Sequence, residues 1–125
     1  MIIEHFALNV TDPVAMGAWY CEHLGMTLVR ETGAPTYTRF IEDASGQQVE
    51  LYNNPVDAYF DGAAAGPRTW HLAFLPDDIE ATHARLLAAG AKAVDPITTT
   101  PVGDRLVFLR DPWGFTIQLV ERADG

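Results

Sequence analysis

The chain opens on an alternating pattern. In residues 2–10, Phe6, Leu8 and Val10 share one parity while His5, Ala7 and Asn9 share the other, the two-residue period of a half-buried strand. Asp12-Pro13 follows, a capping side chain ahead of proline at the first helical position. Val14, Met16, Trp19, Tyr20 and Leu24 carry helical spacing to about residue 24, where Gly25 stands as a C-terminal stop. Strand-like runs then occupy 26–31, 36–42 and 47–52, separated by Gly33-Ala34-Pro35 and Asp43-Ala44-Ser45-Gly46. The predicted order is βαβββ.

Residues 53–68, with two Pro, two Gly and an Asn pair, read as a linker. The second half then repeats the first. Residues 69–75 read as a strand. Asp77 with Glu80 three residues later predicts a capping box, Ile79, Leu86 and Leu87 mark a buried helix side, and Gly90 ends the helix. Residues 91–94, 105–110 and 115–121 read as strands, the last two joined by Asp111-Pro112-Trp113-Gly114. The repeat reaches single residues. His5-Phe6-Ala7-Leu8 matches His71-Leu72-Ala73-Phe74 at an offset of 66, Gly25 matches Gly90 at 65, and the Gly46, Glu50-Leu51 set matches Gly114, Gln118-Leu119 at 68. Three matches on corresponding elements predict a duplicated module. The fold expected is α+β, one domain over 1–125 with module one at 1–53, a linker at 53–68 and module two at 69–122.

Composition narrows the function. At 125 residues the chain is one domain long, and 48% hydrophobic with 20% charged residues excludes disorder. No run nears the roughly 18 apolar residues of a membrane span, and the first ten residues carry no secretion signal pattern. A single cysteine, Cys21, excludes an internal disulfide and a cysteine-based zinc site. The expected location is cytoplasmic. The net charge of −9 argues against nucleic acid and against an anionic membrane surface. It is compatible with a small neutral, metal-bound or cationic partner, though plain solubility is the simpler reading.

The repeat selects four positions, His5 and His71 on the first strand of each module and Glu50 and Gln118 on the last. By parity all four lie opposite the most apolar face of their strands. Polar groups on a covered face need partners. Imidazole nitrogens with carboxylate and amide oxygens suit a divalent ion of mixed N/O preference, and four protein ligands leave two octahedral positions for water or substrate. His5, His71 and Glu50 alone make a two-histidine, one-carboxylate set. The alternative for each histidine taken singly is a hydrogen-bonded core residue.

On these residues the chain resembles the vicinal oxygen chelate superfamily, the glyoxalases, bleomycin-resistance proteins and dioxygenases. The resemblance rests on His5 in IEHFALNV, Trp19-Tyr20 with Leu24-Gly25-Met26, Glu50 in VELYNN, His71 in WHLAF, and Asp111-Pro112-Trp113-Gly114 leading to Gln118. It is nearest to bacterial glyoxalase I. The resemblance implies two βαβββ modules forming a curved eight-stranded mixed sheet with helices on its outer face. It also implies a divalent metal (nickel, cobalt, zinc, manganese or iron) on His5, Glu50, His71 and Gln118, and a homodimer. Gln118 departs from the pattern, since most of these enzymes carry Glu there. The implied activity is that of a lyase or isomerase that removes a proton next to a metal-chelated carbonyl of a small substrate, with Glu50 as the catalytic base. Two alternatives stand beside it, a metal-free antibiotic-binding resistance protein and an extradiol dioxygenase. Arg39 is expected either to meet an anionic substrate group or to lie at the surface, and Tyr52 either to line the pocket or to fill the core. His23 and His83 are expected to be solvated, and Cys21 to be a small buried residue.

Overall fold

Asp12 accepts a hydrogen bond from the Ala15 amide at 3.1 Å and starts α1 (Pro13–Leu24), which Gly25 ends in the left-handed conformation at φ +68°. This helix lies against one face of a four-stranded sheet. The sheet contains β1 (His5–Asn9), β2 (Thr27–Glu31), β3 (Arg39–Glu42) and β4 (Gln48–Tyr52), in the order β1-β4-β3-β2 with β1 and β4 parallel. The computed structural model describes residues 1–124. It divides into two compact units, one from Met1 to Phe60 and the other beginning at Asp61.

Alternation decides what each face of the first unit does. Leu8, Ile41, Val49 and Leu51 are buried with Val10, Met16, Trp19 and Tyr20 of the helix side. Helix and sheet meet closely at Gly17, where a Cβ would stand in van der Waals contact with Arg39, 3.4 Å from its Cβ. Residues 36–38, expected in a strand, belong to a turn. Tyr37 N donates to Gly33 O and Thr32 N to Thr38 O, both at 3.0 Å, and Tyr37 has φ +49°.

The second unit holds β5 (Leu72–Phe74), α2 (Ile79–Ala88), β6 (Lys92–Ala93), β7 (Thr98–Thr99), β8 (Arg105–Arg110) and β9 (Thr116–Glu121). Its sheet runs β5-β9-β8-β6, with β7 also paired to β8. The described residues thus form nine strands in two sheets, where eight were expected. The extra strand, β7, arises because Gly103, at φ +92°, lets Thr100 and Asp104 close a turn that folds the threonine pair back onto β8. The helix cap also differs. Asp78 accepts from the Ala81 amide at 3.0 Å, so Asp77 is not the cap and Glu80 lies one position too early for the box. Glu80 instead pairs with Arg105. Ile79 and Leu86 of α2 and Val107, Leu109, Ile117 and Leu119 of the sheet are buried.

The modules share more than element order. The Oδ1 of Asp43 accepts from the Ser45 and Gln47 amides, each at 2.9 Å, and Gly46 sits at φ +92°. The Oδ1 of Asp111 accepts from the Trp113 and Phe115 amides, again each at 2.9 Å, and Gly114 sits at φ +90°. The same side-chain-closed turn therefore leads into β4 and into β9. The connecting segment is held in two parts. Asn9 Nδ2 donates to the carbonyls of Asn54, Asp57 and Ala58. Arg110 donates to those of Gly62, Ala65 and Gly114. The boundary between the units falls between these two anchored stretches.

Candidate functional site

The face of the first sheet away from α1 carries His5, Phe40, Glu50 and Tyr52. Cross-strand partners share a face, and Glu50 is opposite both Ala7 and Phe40. His5 lies two residues from Ala7, so it projects to the same side. Its Nε2 stands 3.5 Å from the Oε1 of Glu50, and its ring meets the Phe40 ring edge-on with centroids 5.3 Å apart. The other nitrogen, Nδ1, pairs with the carboxylate of Glu4. A carboxylate can only accept, so Nδ1 carries a proton toward Glu4, and Nε2 is the ring nitrogen that faces Glu50. The side chains of His5 and Glu50 are 34% and 22% exposed, open enough for a ligand to reach them.

The second unit repeats this arrangement. His71 stands immediately before β5, and Gln118 in β9 is opposite Ala73 and Phe108. The His71 ring meets Phe108 with centroids 5.2 Å apart, which places it on the face of Gln118. Its Nδ1 is 2.7 Å from the carbonyl oxygen of Pro67. A carbonyl accepts, so here too Nδ1 carries a proton, and Nε2 is the nitrogen not committed to that carbonyl. Among the described residues, no group of three or more His, Cys, Asp or Glu side chains stands at metal-binding distance. Each unit carries one imidazole and one side-chain oxygen donor on one face of its sheet.

Other expectations meet different surroundings. Arg39 is on the opposite face, paired across the strands with Leu51. Its Nη1 donates to the carbonyls of Thr32, Tyr37 and Thr38 at 2.9, 3.3 and 2.9 Å, and its Nε is 3.6 Å from Glu31. Those bonds tie down the β2–β3 turn. Tyr52, two residues beyond Glu50, shares its face and is half-buried. His23 is half-buried rather than fully solvated, its ring packed on Trp19 with centroids 5.2 Å apart. The Nε2 of His83 is buried and has no hydrogen-bond partner among the described residues. Cys21 is half-buried, and burial pushes its thiol above the usual range. Phe40, Phe108 and Arg30 escaped the sequence reading. The two phenylalanines were detectable, since they repeat at the offset of 68 already seen for Gly46 and Gly114.

The family model described as the Glyoxalase/Bleomycin resistance protein/Dioxygenase superfamily matches residues 2–119. The chain belongs to that superfamily. YaeR of Escherichia coli strain K12 is 32% identical over 96% of this chain and 95% of its own length. A Synechocystis protein named "Probable lactoylglutathione lyase" is 26% identical over 98% and 97%. Among solved structures, a glyoxalase I variant from Zea mays superposes with a TM-score of 0.76 at 25% identity. It covers 98% of this superfamily member and 46% of the maize chain. The chain likewise spans about half the length (55%) of the mycobacterial relatives named CFP32. Among the described residues no helix of this superfamily member is long and apolar enough to cross a membrane.

Proposed function

We propose that His5, Glu50, His71 and Gln118 hold one divalent ion, and that the protein is a lyase or isomerase removing a proton next to a carbonyl of a small substrate. One observation carries this reading. Both histidines commit Nδ1 to an acceptor, which leaves Nε2 as the nitrogen to offer a metal, and at His5 that nitrogen faces the Glu50 carboxylate. This is how ligating imidazoles are oriented in metal sites. At His5 the Nε2 stands 3.5 Å from the Glu50 carboxylate, so the two side chains are placed to share one cation. The named Synechocystis and maize relatives support the choice of reaction class.

A divalent ion held there supplies Lewis acidity toward a substrate carbonyl. This chain's residues do the rest. Glu50 is the one carboxylate of the proposed set and takes up the proton. Its Oε1 faces Nε2 of His5, so the imidazole fixes one side of the base. Phe40, opposite Glu50 across the strands and edge-on to the His5 ring, gives the pair an apolar neighbour. Tyr52, two residues along, contacts the substrate. Gln118 provides a neutral oxygen, which leaves the site one negative charge short of a two-carboxylate set.

The test is a titration of chelator-treated protein with zinc and with nickel. Wild type binds one equivalent, while His5→Ala and His71→Ala each weaken binding at least tenfold. Stoichiometric metal in the double variant would remove the reading.

A further inference from the structure

β2 and β3 do not pair evenly. Thr27 is opposite Glu42 and Leu28 opposite Ile41, but Arg30 is opposite Phe40 and Glu31 opposite Arg39. Val29 is an extra residue, a bulge. Its effect follows from the two-residue period. Without it Val29 would face Phe40, and Arg30 would lie beside Arg39 on the helix side as a like-charged pair. With it, Glu31 meets Arg39 at 3.6 Å and Arg30 turns to the face of His5 and Glu50. There its guanidinium carbon lies 5.2 Å from the centroid of the Phe40 ring. Bulges next to functional faces re-aim side chains in this way.

The guanidinium has no other engagement. Among the described residues no carboxylate or carbonyl takes up Arg30, whereas Arg39, Arg105, Arg110 and Arg122 all bond to oxygens. Stacking on Phe40 holds its plane while leaving the N–H fork free. Arg30 is two strands from Glu50, about 10 Å between backbones at roughly 4.8 Å per strand.

We infer that Arg30, aimed by the bulge at Val29 and braced on Phe40, selects substrates that carry a carboxylate a few bonds from the reacting carbonyl. The inference rests on the proposed function, since it names the substrate class of that same face. A planar fork on an aromatic ring suits bidentate recognition of a carboxylate.

The probe pair is 4-oxopentanoate, a ketone with a carboxylate, and its neutral methyl ester. Binding is followed at constant ionic strength through the Arg30 Nε–Hε resonance and by calorimetry, in wild type, Arg30→Gln and Arg30→Lys. Wild type should prefer the acid at least fivefold and show a saturable shift at Arg30. Arg30→Gln should bring the ratio near one, and Arg30→Lys should keep part of it, because charge survives without the fork. An unmoved resonance, or an unchanged ratio in Arg30→Gln, overturns the inference. The zinc titration keeps the two readings apart. Absence of metal binding with a carboxylate preference at Arg30 sinks the lyase or isomerase reading alone. Normal metal binding with no preference sinks the Arg30 inference alone.

Discussion

The Nε2 of His5 stands 3.5 Å from the Oε1 of Glu50, while the proton of that imidazole is directed at Glu4 through Nδ1. Glu4 thus fixes the tautomer from outside the pair, and it is an exposed side chain with no part in the core. Replacing it should weaken metal binding without unfolding the protein. Glu4→Ala should raise the zinc dissociation constant about tenfold, the usual cost of losing a carboxylate behind a ligating histidine. Glu22→Ala, beside His23, serves as the control and should leave it unchanged. Calorimetric titration of both variants checks this, and equal affinities would remove the role given to Glu4. His71 offers no such handle, because its Nδ1 partner is the backbone of Pro67.

A packing prediction concerns the connecting segment. A Cβ on Gly62 would lie 1.8 Å from a ring carbon of the buried Phe115. That overlap is with a ring packed in the core, not with the free end of a flexible chain. Gly62→Ala should destabilise by about 3 kcal/mol, the upper part of the overpacking range. Thermal unfolding should show a clear drop in Tm, with Gly33→Ala, in open space, nearly unchanged.

The turn before β4 makes stability depend on pH in one direction. Hydrogen bonds from Ser45 and from the amides of Gln47, Ser45 and Gly46 hold the Asp43 carboxyl below its ordinary 3.8. A depressed folded value means that the contribution is fully present above 3.8 and fades as pH falls through the folded value. Asp43→Ala should therefore be less stable than wild type at pH 7, by no more than about 1 kcal/mol because the turn is largely solvated. The gap attributable to the charge should close as pH falls below 3.8. Denaturant midpoints at pH 7 and pH 3 test it, and an unchanged gap would assign the turn's contribution to uncharged hydrogen bonding.

How much of this was legible in the sequence differs from element to element. The duplicated modules were readable because Gly25, Gly46, Gly90 and Gly114 all need positive φ, and glycine declares that need locally. The face shared by His5 and Glu50 was readable because a strand's period is two and neither strand is interrupted. The same rule held for Arg39, which shares the face of Ile41, but it was silent on Arg30. Counting by twos cannot detect an extra residue at Val29, which is neither Gly nor Pro, so the face of β2 switches without a sign. The α2 cap misled for another reason. Asp77 and Asp78 are adjacent aspartates of equal capping chemistry, and the buried positions of Ile79 and Leu86 select the second. His83 looked exposed because a ten-residue helix was assigned a narrow apolar stripe, whereas its Nε2 is covered.

Gln118 carries the last prediction, because it alone departs from the carboxylate expected at its place. It lies in β9 between Phe108 and Ala73, at the position that Glu50 holds between Phe40 and Ala7. The backbone around it therefore already accommodates a carboxylate in the other module. Gln118→Glu should tighten zinc binding roughly tenfold, because charge count sets the affinity of an oxygen ligand for a dication. Without metal the same variant should lose stability, since its new charge sits half-buried beside a phenylalanine ring and lacks a cation. Zinc should restore the loss, so the shift in Tm on adding zinc should exceed that of wild type. Measuring Tm with and without zinc, beside the calorimetric affinity, separates the cases. A Tm that falls and is not rescued, with affinity unchanged, would mean that Gln118 serves its strand and not the ion, leaving His5, Glu50 and His71 as the proposed set.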